Sequence, residues 1–113
     1  MKGTITIKPQ VVFTLALNAT RSTYGVVGIA SRYTGYDTTQ RDPRRGLEVK
    51  ISTVDNVTRV TVDVHIIVEY GVRIPSVVES LRHQIEYTIQ RGAGYVVDEV
   101  KVHVAAVRTS AGS

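Results

Sequence analysis

Val57-Thr58-Arg59-Val60-Thr61-Val62-Asp63-Val64-His65-Ile66-Ile67-Val68-Glu69-Tyr70 is the stretch that decides the fold. Val60, Val62, Val64, Ile66, Val68 and Tyr70 alternate with Arg59, Thr61, Asp63, His65, Ile67 and Glu69, the period of two that gives a strand one buried face. Every core-phase position is apolar. At about 3.3 Å per residue such a segment crosses a small domain from edge to edge, which makes it the central strand on which the other elements pair or pack.

Downstream, Gly71 interrupts the alternation and a helix is predicted over Pro75 to Arg91. Ile74, Val77, Val78, Leu81, Ile85 and Ile89 fall on one stripe, while Arg73, Glu79, Arg82, His83, Glu86 and Gln90 lie largely off it. Gly92 and Gly94 stop this helix, and Val100, Val102 and Val104 mark the apolar phase of a last strand. Upstream, Asp55-Asn56 reads as a hairpin turn from a strand opened by Gly46, in which Leu47, Val49 and Ile51 alternate with Glu48 and Lys50. Before it, Thr34 to Arg45 is an aperiodic polar loop, long for a small domain, and Val26 to Tyr33 reads as a strand. A first helix is predicted over Pro9 to Thr23 from Val12, Leu15, Ala16 and Ala19, with Pro9 suited to its first turn. Ile5 and Ile7 alternate with Thr4 and Thr6, predicting a short opening strand over Gly3 to Ile7.

The predicted order is therefore β-α-β-β-β-α-β, an α/β chain of the α+β type. Its small mixed sheet of about five strands carries two helices on one face, because each helix has a single apolar stripe. Gly25, Gly46, Gly71 and Gly94 are the candidate structural turns. Residues 1–107 form one domain in this reading and 108–113 a frayed tail. The other sheet face is left open.

Composition agrees with a sheet-rich domain: the 113 residues contain one Phe, no Trp and no Cys, so the core is built from aliphatic side chains. Without cysteine there are no disulfides, no thiolate catalysis and no cysteine-ligated zinc, which suits a cytoplasmic address. No apolar run reaches signal-peptide or membrane-spanning length, so direct membrane insertion is not expected. The net charge of +4 favours anionic partners at long range.

Candidate chemistry is sparse. Asp63, His65, Ile67, Lys101 and His103 share the open sheet face and form the candidate partner surface. Two imidazoles and a carboxylate can in principle bind zinc or move protons, yet no histidine pair on a helix, no cysteine and no nucleophile accompanies them. The expectation is that they are surface residues, with no catalytic, cofactor or metal site. Gly25-Val26-Val27-Gly28 matches the G-x-x-G of nucleic-acid clamps in form, but it joins a helix to a strand and lacks a basic centre, so it reads as a tight turn. Arg41, Arg44 and Arg45, with Arg32 and Lys50 nearby, are a candidate anion patch for phosphates or anionic head groups.

Taken in order, Gly3-x-Ile5, Gly25-Val26, Gly46-x-x-Val49, Val62-Asp63-Val64, Val68-Glu69-Tyr70-Gly71-Val72-x-Ile74-Pro75, the helix phase Val77, Leu81, Ile85 and Ile89, Gly94, and Val100-x-Val102-His103-Val104 resemble the bacterial alkaline-shock-protein family, which includes the Gls general-stress proteins. Arg82, Lys101 and Ala93-Gly94 depart from its usual residues, and the loop Arg41 to Arg45 is more basic than the family pattern. The resemblance implies a small α/β protein without known enzymatic activity, tied to cell-envelope stress and held near the membrane by a separate anchor protein. It also implies, for some members, a link to lipid-synthesis genes. The expected function is a noncatalytic adaptor or scaffold that self-associates or docks on a membrane-anchored partner, cytoplasmic and peripheral through that partner. An RNA- or anion-binding module using Arg41 to Arg45, or a regulator linked to lipid synthesis, is the alternative.

Overall fold

Strand β3, Val57–Glu69, lies at the centre of a four-stranded mixed sheet in the computed structural model, which describes residue 3 and residues 5–109. On one side β3 pairs antiparallel with β2, Leu47–Val54, and further along with β1, Val26–Ile29. On its other side it runs parallel to β4, Val96–Arg108, along nearly its whole length. Helices α1, Pro9–Ser22, and α2, Ile74–Ala93, pack on each other and on a single face of that sheet. The mixed sheet with both helices on one side is the predicted architecture.

Alternation in β3 places its core as expected: Val60, Val62, Val64 and Ile66 are fully buried and Val68 nearly so. They meet Val12, Ala16 and Ala19 of α1, and Val77, Leu81, Ile85 and Ile89 of α2, in one aliphatic cluster. Tyr70, the last residue of the predicted alternation, falls beyond the strand end and is 72% exposed. Thr20 is polar and fully buried, and it satisfies its hydroxyl by donating to the Ala16 carbonyl one turn back.

The turns follow from local chemistry. Asp55 and Asn56 both adopt positive φ, 53° and 65°, the pairing that matches the twist of a two-residue hairpin between β2 and β3. Helix α2 ends at Gly94, whose φ of 73° lets its N–H reach the Gln90 carbonyl at 2.9 Å.

Three expectations are corrected. The opening strand over Gly3 to Ile7 does not form: residue 3 and residues 5–8 make no ladder, while Met1, Lys2 and Thr4 lie outside the described residues. Among the described residues four strands therefore stand where about five were expected. Ile7 still packs on the core, which accounts for its part of the alternation, but Ile5 is 89% exposed. The second strand stops at Ile29 instead of Tyr33, because Ser31 and Arg32 turn their N–H groups to Tyr36 and Arg45 of the loop. Finally, Arg108 does not belong to a frayed tail: it closes β4, forming an ion pair with Asp37 at 2.7 Å and donating to the Val27 carbonyl at 2.7 Å. Residues 110–113 of the predicted tail lie outside the described residues.

Candidate functional site

The sheet face turned away from the helices is built by the out-of-core phase of three strands. Register places Glu48 of β2, Asp63 of β3 and Lys101 of β4 in one row across the sheet, and His65 opposite His103 in the next. The two histidines, read from the sequence only as sharing the open face, are thus directly paired across adjacent strands. Their rings stack with centroids 4.3 Å apart and planes 15° from parallel. Asp63 lies against both: its Oδ1 is 3.4 Å from His65 Nε2, and its Oδ2 is 3.3 Å from His103 Nε2.

Electrostatics differ between the two rings. Partial burial, the neighbouring His103 and the charge of Arg32 push the His65 pKa down, against the pull of the Asp63 carboxylate. His65 is thereby biased toward neutral imidazole. Lys101 approaches Glu99 at 3.9 Å and is about half exposed.

Ile67 does not share this surface. It is only 4% exposed, although its phase in β3 is outward. The reason is irregular pairing on both sides: the register slips between Val26 and Gly28 on β1 and between Ile66 and Ile67 against β4. Gly28 and Asp37 then close over it, since a Cβ placed on Gly28 would stand 3.2 Å from Ile67 Cδ1 and 3.0 Å from Asp37 Oδ2. Ile67 is removed from the partner surface by this burial.

The long polar loop is ordered by its own hydrogen bonds. Ser31 N–H donates to the Tyr36 carbonyl, Thr38 N–H to the Ile29 carbonyl, and the Thr38 hydroxyl to the Asp42 carbonyl at 2.9 Å. A short 3₁₀ turn, Pro43–Arg45, follows and is capped by the Asp42 carboxylate, which accepts from Arg44 N–H. The basic residues divide between two places. Arg44 lies over the Phe13 ring of α1 at 5.3 Å, whereas Arg41 and Arg45 line one cleft with Tyr36, Asp37 and Thr38, Arg45 approaching Asp42 at 3.8 Å. Arg32 turns to Glu48 at 3.3 Å and donates to the Arg45 and Arg44 carbonyls.

Sequence reasoning missed the Asp37–Arg108 tie, which joins residues 71 apart in the chain. Burial raises the Asp37 carboxyl, but hydrogen bonds from the Thr39 hydroxyl and N–H and from Arg108 outweigh that and hold it below its usual value. Arg108 in a loop-facing position could be found only from a contact, because neither residue sits in a local motif. Gly25 and Gly71 have φ of 91° and 94°, as turn positions require, whereas Gly46, with φ −124° and ψ −8°, closes the 3₁₀ turn by donating its N–H to the Pro43 carbonyl.

Two helices over one face of a four-stranded mixed sheet, with a histidine-bearing polar face opposite, define a small two-layer α+β domain. The family model for alkaline shock protein 23, described as having a cell envelope-related function, matches residues 1–109, and the chain belongs to that family. YloU of Bacillus subtilis is 30% identical over 113 residues, covering 96% of this chain and 91% of that protein. Spy1614 of Streptococcus pyogenes is 26% identical over 111 residues, covering 94% of this chain and 88% of that protein. YqhY of Bacillus subtilis is 26% identical over 107 residues, covering 94% of this chain and 78% of that protein. No solved structure matches.

Proposed function

We propose that this domain serves the cell envelope as a noncatalytic adaptor, docking a membrane-anchored protein along the outer edge of β4, in the cytoplasm. The observation that carries the reading is that edge. Among the described residues β4 pairs with β3 alone, so a strand of 13 residues presents a row of backbone donors and acceptors on its other side. Such a row accepts an added strand, with main-chain bonds giving affinity and alternate side chains giving specificity. Val96, Val104 and Val107, exposed by 46%, 37% and 51%, add apolar contact along the same strand. The family's cell envelope-related function supports the setting. No helix among the described residues is long and apolar enough to cross a membrane, and in this reading the partner supplies the attachment.

The test is capture of the tagged domain from membrane and soluble fractions of its host, washed at low and high salt. The expected result is one membrane protein held in a salt-resistant complex and lost from a Val96→Lys, Val107→Lys double variant, since lysines at a strand edge oppose added pairing. Retention by the double variant removes the edge from the proposal. Recovery of RNA that high salt strips away, with no membrane protein, replaces the adaptor with an anion-binding module.

A further inference from the structure

His65 and His103 project from directly paired positions of two parallel strands, so the backbone fixes how far apart they stand. Asp63 lies two residues earlier on the same face of β3, and it meets each imidazole with a different carboxylate oxygen. One ligand atom from each of the three residues lies within 4.8 Å of the other two. We propose that Asp63, His65 and His103 form a binding site for a divalent first-row transition-metal ion, represented by Zn²⁺, on the open sheet face.

The distances suit such an ion. Zinc holds imidazole nitrogen at about 2.0–2.1 Å, which sets neighbouring ligands in a tetrahedral shell about 3.3 Å apart. Each imidazole stands at that spacing from its own oxygen of Asp63, His65 at 3.4 Å from Oδ1 and His103 at 3.3 Å from Oδ2, so the carboxylate must present one oxygen between them. The rings stack 15° from parallel, so both must turn about their Cβ–Cγ bonds, out of the stack, until their planes cross at the ion in front of the carboxylate. Each neutral imidazole then carries its proton on Nδ1, leaving Nε2 free to ligate.

Neighbouring charge does not forbid a cation there. Arg32 is engaged by Glu48 at 3.3 Å, a carboxylate it shares with Lys50 at 3.8 Å, and Lys101 lies 3.9 Å from Glu99, so both positive charges beside the site have a carboxylate partner. Two imidazoles with one carboxylate select borderline ions such as Zn²⁺, Ni²⁺ and Cu²⁺ over Mg²⁺ and Ca²⁺, which take shells of oxygen. Three protein ligands leave a position for water or for a side chain from a docked molecule.

The experiment uses the full chain, stripped of metal and carrying no histidine tag. Zn²⁺ is titrated by calorimetry while the imidazole resonances are followed by nuclear magnetic resonance. One ion per chain is expected, with the His65 and His103 resonances shifting and His83 unmoved. His83 is the control because it faces Glu79 at 3.2 Å on α2, an ordinary histidine–carboxylate pair. His103→Ala and Asp63→Asn, tested separately, should each weaken binding by more than the roughly 10- to 100-fold that loss of an outer-shell partner costs. His103 is 48% exposed, so its replacement leaves the core intact, and circular dichroism with a parallel His103→Gln variant verifies the fold. Affinity unchanged in the folded His103 variants overturns the proposal. So does a zinc response spread equally over all three histidines, or the absence of saturable binding.

Discussion

Gly46 is held in place by crowding. Its φ of −124° is open to any residue, but a Cβ there would collide with the Ala30 carbonyl oxygen and stand 2.6 Å from Ile29 Cγ2. Backbone cannot yield as a flexible side-chain end can, so Gly46→Ala should destabilise the domain by about 2–3 kcal/mol in urea denaturation. Asp37 offers a pH test. Its folded pKa lies below the ordinary 3.8, so the stability it contributes is present above that value and is lost as pH falls through the folded pKa. Asp37→Asn should therefore be less stable than the parent near neutrality, and thermal melts should show the gap closing as the pH drops below about 3.8. The gap is about 1 kcal/mol or less, because both partners of the Arg108 pair are more than a third exposed. Gly46 was legible as the start of a strand, but its reason was not, since Ala30 is brought to it through His65 of β3, whose carbonyl accepts from Ala30 N–H and whose N–H donates to the Gly46 carbonyl.

Among the elements, both helices and the β2–β3 hairpin could be read from the sequence because their signals are local: stripes at helical spacing, strict alternation, and Asp55-Asn56 at the turn. Asn56→Gly should leave stability unchanged or raise it slightly, because glycine adopts the positive φ without the roughly 1 kcal/mol that an L side chain meets there, and the melting temperature reads this directly. The opening strand was misread since alternation of Ile5 and Ile7 reports amphipathic spacing and says nothing of a pairing partner. Ile67 was misread for a related reason. Phase assigns it to the open face, whereas the slipped registers of β1 and β4 bury it. Ile67→Ala should consequently cost about 2–4 kcal/mol, as a core residue does, and a cost near zero in denaturant titration would restore it to the surface.

For the whole molecule, the strand lengths dominate the shape. The radius of gyration is 15.0 Å, where a compact chain of this length has about 13 Å, because β3 and β4 run side by side for 13 residues each. Small-angle scattering of the isolated chain should return a value near the larger figure, and pairing through β4 edges would raise it further in a concentration-dependent way. The architecture was legible at this scale: one mixed sheet with helices on one side, and His65 and His103 on the open face. The separation of Arg44 from Arg41 and Arg45 was not, because runs in sequence fix nearness along the chain and leave the directions of side chains to the loop that Asp42 and Thr38 organise.

The parallel partnership of β3 with β4 also bears on birth at the ribosome. The β2–β3 hairpin can close as soon as Glu69 has emerged, since its contacts are local, but the far side of β3 must wait while residues 70–95 are synthesised and α2 takes shape. Throughout that interval a long valine-rich edge stands uncovered in the nascent chain. Chaperone demand for this domain should therefore fall on the stretch of translation between the hairpin and β4, and a stall within α2 would leave the chain in its most aggregation-prone form.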